Sequence, residues 1–239
     1  MKIIALGDTH GRNKWKQVAS RESFDQLIFI GDYFDSFTGI SAAKQKENFR
    51  EILEYKERYP EKVVLLIGNH DFHYLDGVYE TYSGYQQRQR SSIQALLQPA
   101  VDKGLLQVCF VWKHLLFSHA GVTRTWCRNH LPQSNAIAED INSLFKQDLS
   151  AFEFALGRTN NPTGDDPEQS PLWVRPPSLL EDGLDAYIQI VGHTVQRRLL
   201  LSDEVIFIDT LGVSGEYLVY EDGKFSVGRT DRGKGGIKS

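Results

Sequence analysis

The stretch Lys2-Ile3-Ile4-Ala5-Leu6-Gly7-Asp8-Thr9-His10-Gly11 decides how the chain is read, because a short apolar run halts at a glycine and turns at once to polar residues. Two further runs do the same: Gln26 to Ile30 before Gly31-Asp32, and Val63 to Ile67 before Gly68-Asn69. Apolar runs this short, bounded by glycine, read as buried strands. Between the second and third, Ser41 to Tyr59 carries Phe49, Ile52 and Leu53 at helical spacing among charges, and Pro60 stops it. Asn13 to Ala19 is a weaker helix between the first two strands. Strand and helix in alternation imply right-handed βαβ units and a parallel sheet, whose functional groups gather on the loops leaving the strands' carboxyl ends.

Further along, Leu105 to Trp112 and Leu115 to Phe117 flank a tight turn at Lys113-His114, and the second of them exits at Ser118-His119-Ala120-Gly121. Residues 72–104 read as helix and loop. From Pro132 to Asp185 the composition is irregular, and Gly157 to Pro177, dense in Pro, Asn, Gly and Asp, reads as a long surface loop. Strands are expected at Tyr187 to Val191, Arg198 to Leu201, Val205 to Ile208, Tyr217 to Tyr220 and Lys224 to Val227, making a β-rich second half. The expectation is a single domain over residues 1–228, with 229–239 as a disordered tail.

The bulk numbers narrow the class. With 239 residues, 41% hydrophobic and 24% charged, the chain suits one large α/β domain. Its net charge is −4 and its cations are scattered, so there is no broad basic face for nucleic acid. Cys109 and Cys127 are too few for a disulfide framework and lack zinc-site spacing. The first apolar run is too short for a signal peptide, and no run approaches the ~20 residues of a membrane span. A cytoplasmic enzyme without a membrane partner is the resulting expectation.

Five strand exits carry the chemistry: Gly7-Asp8-Thr9-His10-Gly11, Gly31-Asp32-Tyr33-Phe34-Asp35, Gly68-Asn69-His70-Asp71, Ser118-His119-Ala120-Gly121 and Gly192-His193-Thr194. Hard oxygen donors and imidazoles converging from several strand ends suit a pair of divalent first-row metal ions. In this order the blocks D-x-H, G-D-x-x-D, G-N-H-D, H-A-G and G-H resemble the calcineurin-like metallophosphoesterase family, closest to its branch of phosphoprotein phosphatases and diadenosine tetraphosphate hydrolases.

That resemblance implies a four-layer α/β/β/α sandwich with two mixed sheets. It assigns Asp8 and His10 to a first metal, Asp32 to a bridge, and Asn69, His119 and His193 to a second metal. Manganese comes first, with iron or zinc as alternatives. Two carboxylates among neutral donors would leave about two net positive charges, matched to a phosphate dianion. The implied reaction is hydrolysis of a phosphomonoester, on a protein or a small molecule, by water activated between the metals. His70 is then the general acid for the leaving group. Asp35 is its orienting partner, with Asp71 as the simpler sequence neighbour or a turn cap. A dinucleoside polyphosphate hydrolase, a phosphodiesterase or nuclease, and a non-catalytic scaffold are the alternatives.

Two departures from the family pattern bear on substrate. Ser36-Phe37 follows Asp35 where the phosphatase branch has Arg-Gly, so one phosphate ligand is missing. Val195 stands where nuclease and phosphodiesterase branches have a second imidazole. Arg175, in Leu172-Trp173-Val174-Arg175-Pro176-Pro177, is the replacement phosphate ligand, with Arg12 in reserve. His73, His114 and His130 read as ordinary histidines. Tyr33 and Tyr74 are placed at the mouth of the site, Phe34 in the core, and Asp209-Thr210-Leu211-Gly212 in a structural role.

Overall fold

Alternate residues of the central strands are apolar on both faces, which requires a layer of structure on each side. The structure, a computed structural model, describes residues 1–155 and 161–230. In chain order the elements are β1 (Lys2–Leu6), α1 (Trp15–Arg21), β2 (Gln26–Phe29), α2 (Ala42–Arg58), β3 (Val63–Leu66), α3 (Asn69–Phe72), α4 (Arg90–Asp102), β4 (Leu106–Gln107), β5 (Cys109–Trp112) and β6 (Leu115–Ser118). They continue with α5 (Arg124–His130), α6 (Ile137–Gln147), α7 (Pro176–Asp182), β7 (Ile188–Val191), β8 (Val205–Phe207), β9 (Glu216–Glu221) and β10 (Lys224–Arg229).

The first sheet has the order β10-β9-β1-β2-β3-β4 and the second β5-β6-β7-β8. β1 to β4 run parallel, and the hairpin β9–β10 is added antiparallel beside β1. β6, β7 and β8 run parallel, with β5 antiparallel at their edge. Both sheets are therefore mixed.

Three apolar clusters separate four layers. Ile3, Ala5, Ile28, Ile30, Val64 and Leu66 meet Leu115, Phe117, Ile190 and Ile206 between the sheets. The alternate residues Ile4, Leu6, Leu27, Phe29, Val63 and Leu65 face Trp15, Val18, Phe49, Ile52, Ile93 and Leu97 of α1, α2 and α4. Val191 and Val205 cover the far side of the second sheet against Leu179 of α7. Each such side chain taken from water contributes about 1.5–3 kcal/mol, and a one-residue slip of any central strand would forfeit both faces. The helix/sheet/sheet/helix sandwich expected from the resemblance is the observed fold.

Local departures have physical causes. The run from Leu105 to Trp112 is two strands in different sheets. Asn142 of α6 holds the break, accepting from Val108 N at 2.8 Å and Cys109 N at 3.1 Å, and donating to Cys109 O at 2.8 Å. Arg198 to Leu201 forms no strand: Leu199 is buried, its N–H going to Glu216 Oε2 at 2.8 Å, while Leu200 is 77% exposed. The irregular segment 132–185 contains α6, with Ala138, Ile141 and Phe145 buried on one face, as well as α7. The turn at Lys113-His114 joins β5 to β6, with Lys113 at φ 55°. The rest of the expected long loop, from 161 onward, is irregular, while 157–160 and the expected tail from 231 lie outside the described residues. No helix among the described residues is long and apolar enough to cross a membrane.

Candidate metal and catalytic site

β1, β2 and β3 are parallel neighbours in one sheet, and β6 and β7 in the other, so their carboxyl ends share one rim of the sandwich. Asp8 follows β1, Asp32 follows β2, Asn69 and His70 open α3 after β3, His119 follows β6 and His193 follows β7. All six are buried or nearly so.

The backbone is bent to bring them together. Six described non-glycine residues have positive φ, and four of them are His10 (43°), Asp32 (53°), Asp35 (56°) and His193 (62°). Each such conformation costs about 1–2 kcal/mol for a residue with a Cβ, strain that the surrounding sheets must offset. Glycine makes the room: a Cβ on Gly68 would overlap the Asp32 carboxylate, and one on Gly192 the Asp8 carboxylate.

Asp32 Oδ1 accepts the His70 N–H at 2.9 Å and lies 3.5 Å from His119 Nε2, while its Oδ2 is 3.6 Å from His10 Nε2. Asp8 accepts the His193 N–H at 3.1 Å. Asn69 Oδ1 lies 2.8 Å from His119 Nε2 and 3.0 Å from His193 Nδ1. The far nitrogens of two rings are tied to backbone carbonyls, His10 Nδ1 to Phe34 O at 2.6 Å and His119 Nδ1 to Ile30 O at 3.0 Å, which fixes each ring with Nε2 facing inward.

These residues fit divalent cations. Burial, reinforced by Asp209, raises Asp8 well above the usual carboxylate range, and burial with Asp8 nearby does the same to Asp32. No Lys or Arg among the described residues forms an ion pair with either acid, and Arg12 and Arg175 act on them only at a distance. Burial lowers His10 to about 4 and His119 to about 3, and drives His193 well below its ordinary value, so all three rings are neutral with a lone pair to give. His193 Nε2 is buried without a hydrogen-bond partner. Ligand atoms of Asp8, Asp32 and His119 lie within 4.8 Å of one another. Hard oxygens and neutral imidazoles around an uncompensated negative pocket are a donor set for first-row divalent ions.

Beside this group stands a second, made of Asp35, His70 and His73, whose ligand atoms also lie within 4.8 Å of one another. His70 Nδ1 is 3.1 Å from Asp35 Oδ2, Tyr74 Oη donates to Asp35 Oδ1 at 2.6 Å, and Gln86 Nε2 donates to the same oxygen at 3.0 Å. His73 Nε2 lies 2.7 Å from Asp35 Oδ2 without an aligned hydrogen bond. Asp71 is occupied elsewhere: it takes Tyr33 N at 2.8 Å and Gly68 N at 3.0 Å, capping α3. Of the two aspartates weighed for His70, Asp35 touches its ring.

Burial alone would raise Asp35, but the donors His70, Tyr74 and Gln86, with the His73 ring close by, outweigh it and bring the carboxyl from 3.8 down to about 2. A depressed folded-state value stabilises the native protein above the unfolded pKa, and this stability is lost as pH falls through about 2. The shift corresponds to about 2 kcal/mol. Asp35→Asn is therefore expected to lower the thermal midpoint at pH 7 by about 4–8 °C, with wild-type and variant curves converging near pH 2. Curves that stay parallel down to pH 2 would mean the loss is packing and not charge.

Several residues differ from their expected setting. His73, read as an ordinary histidine, is fully buried against Asp35 because α3 is one short turn and position 73 returns beneath position 70. Tyr33 and Tyr74 are wholly buried and do not line the mouth; the Tyr33 hydroxyl goes to Leu66 O at 2.9 Å. Phe34 is in the core, as expected. Asp209 touches the chemistry: its charge raises Asp8, and burial, against the pull of Arg12, raises its own carboxyl to about 6. Arg12 donates to Thr9 O at 3.3 Å. Arg175 donates from Nε to Thr163 O at 3.0 Å and from Nη1 to Thr194 Oγ1 at 3.3 Å, and feels the charges of Asp32 and Asp8. Val195 is 65% exposed.

The sequence pattern of calcineurin-like phosphoesterases matches residues 1–197. No curated protein sequence matches the chain. Among solved structures, a cold-active protein-tyrosine phosphatase of a psychrophilic Shewanella species superposes with a TM-score of 0.63 at 20% identity, over 96% of this chain and 78% of that one. A protein serine/threonine phosphatase from Saccharomyces cerevisiae gives 0.58 at 14% identity, covering 98% and 81%. A metallophosphoesterase from Sphaerobacter thermophilus gives 0.50 at 12%, covering 97% and 89%. At these identities the likeness concerns the fold.

Proposed function

This chain belongs to the calcineurin-like phosphoesterase family, and from that membership we propose that it is a metal-dependent phosphatase acting on phosphomonoesters of a protein or a small molecule. The observation that carries the reading is the meeting of Asp8, Asp32, Asn69, His119 and His193 at one rim with the Asp35–His70 pair beside them.

Asp8, His10, Asp32, Asn69, His119 and His193 would hold two divalent ions, manganese before iron or zinc. When bound, the ions supply positive charge to the phosphoryl oxygens and acidify the attacking water. The protein's own residues do the rest. Asp35 holds the Nδ1 proton of His70, so Nε2 is the nitrogen that gives a proton to the departing oxygen. Tyr74, Gln86 and His73 fix Asp35 and hence the plane of that ring. Arg175, held beside His193 by its bond to Thr194 Oγ1 and within the field of Asp32 and Asp8, supplies a cation for the non-reacting phosphate oxygens, the place left open by Ser36. Val195 gives no second imidazole on the diesterase pattern, which favours the monoester.

The test is hydrolysis of para-nitrophenyl phosphate beside its bis-ester, by chelator-stripped protein with and without Mn²⁺. Turnover is expected only with metal and mainly on the monoester. Arg175→Ala should raise KM for the monoester about 10-fold, the worth of one charged hydrogen bond. Silence toward every monoester with every metal would promote a non-catalytic scaffold, and preference for the bis-ester a phosphodiesterase.

A further inference from the structure

Phe37 is 62% exposed, yet its ring is not loose. It meets the His10 ring edge-on, centroids 5.7 Å apart at 79°, and the His70 ring at 5.4 Å and 80°. On another side the backbone at Gly84 runs so close that a Cβ there would stand 3.0 Å from Phe37 Cζ. Gly84 has a φ of 84°, so that segment is shaped to pass against the ring. Phe37 is thus flanked by two site imidazoles and a glycine, with most of its surface left to water. A large apolar side chain fixed in this way beside a reaction centre is a binding surface still lacking its partner.

Its position says which part of a substrate would meet it. The proton donor must lie next to the leaving oxygen, so the group attached to that oxygen departs along His70. Phe37 borders the His70 ring, so a group departing past that ring passes close to it, and Ser36 just before it removes a charge where the family has arginine. An alkyl chain gains little there, whereas an aromatic ring meets Phe37 in the offset or edge-to-face contact that two rings prefer.

We infer that Phe37 is a specificity-determining residue that selects aryl phosphate monoesters, whose leaving group is a phenol, over alkyl ones. The inference rests on the phosphomonoesterase reading of the same site. Phosphotyrosine in a peptide and a small aryl phosphate share this chemistry.

The experiment uses Mn²⁺-loaded full-length protein and two non-hydrolysable probes, phenylphosphonate and butylphosphonate, as competitive inhibitors of para-nitrophenyl phosphate hydrolysis, so that leaving-group acidity plays no part. Wild type is expected to bind the phenyl probe about 2- to 12-fold more tightly than the butyl probe, the range of one aromatic pair. In Phe37→Ala the ratio should fall toward one, and in Phe37→Trp it should be kept or increased. A phosphotyrosine peptide and phenyl phosphate, run as substrates beside glycerol 2-phosphate, identify by the larger kcat/KM which aryl source is preferred. Turnover with an equal affinity for both phosphonates, or a phenyl preference unchanged in Phe37→Ala, overturns the inference alone. Absence of turnover on every monoester overturns the phosphatase reading and this one with it.

Discussion

His70→Asn is expected to lower kcat for a phosphoserine peptide by about 10²–10⁴, the usual contribution of a positioned general acid, while para-nitrophenyl phosphate loses far less. The difference follows from the leaving group. A serine alkoxide is too basic to depart without a proton, whereas nitrophenolate leaves readily as the anion. The His70 ring is held for this task by Asp35, 3.1 Å from Nδ1, and its backbone N–H is separately tied to Asp32 at 2.9 Å. Asparagine keeps the backbone link, so the metal set stays assembled. Rates for both esters in wild type and variant decide the matter: an equal fall in both would mean that His70 positions the phosphate or a metal and donates no proton to the leaving oxygen.

Asp32→Asn should separate folding from metal binding. In the metal-free protein the Asp32 carboxylate is a burden, buried and facing Asp8 and Asp71. Asparagine removes the charge and keeps an oxygen for the His70 N–H, so the metal-free variant is expected to be at least as stable as wild type. Wild type with metal at about a hundred times its dissociation constant gains about 2.7 kcal/mol, or roughly 5–10 °C at this chain length. The variant should lose most of that gain along with activity. Thermal melts of chelated and Mn²⁺-loaded samples measure both quantities. A full metal-induced rise in Asp32→Asn would remove Asp32 from the ligand set, and a large fall in the chelated variant would make its carboxylate structural.

Much of the fold was legible because its signals are local. An apolar run ended by glycine and a carboxylate marks both a strand and its exit, and the ordered exits at Asp8, Asp32, Asn69, His119 and His193 are the residues found on one rim. What was not legible depends on distant partners. The break at Val108 exists because Asn142, from a helix 34 residues on, takes two successive N–H groups. Leu199, Leu200 and Leu201 look like a strand, but no neighbouring strand offers them a ladder. His73 acquires its setting from Asp35, and nothing in the spacing of either residue says that α3 will fold them together. Helix α6 has a local signal that composition masks: Ile137, Ala138, Ile141, Leu144 and Phe145 recur at helical spacing within an otherwise irregular segment.

The residues at the rim divide by sheet: Asp8, His10, Asp32 and Asn69 leave the first, His119 and His193 the second. Either half of the chain alone therefore holds only a fraction of the proposed ligands, two acids, an amide and one imidazole on one side and two imidazoles on the other. On the proposed ligand set, a nascent or partly unfolded chain in which one layer has formed would bind little metal and attack no ester. Hydrolytic competence would then arrive only with the stacking of the two sheets, which would keep the chain inert until its architecture is complete.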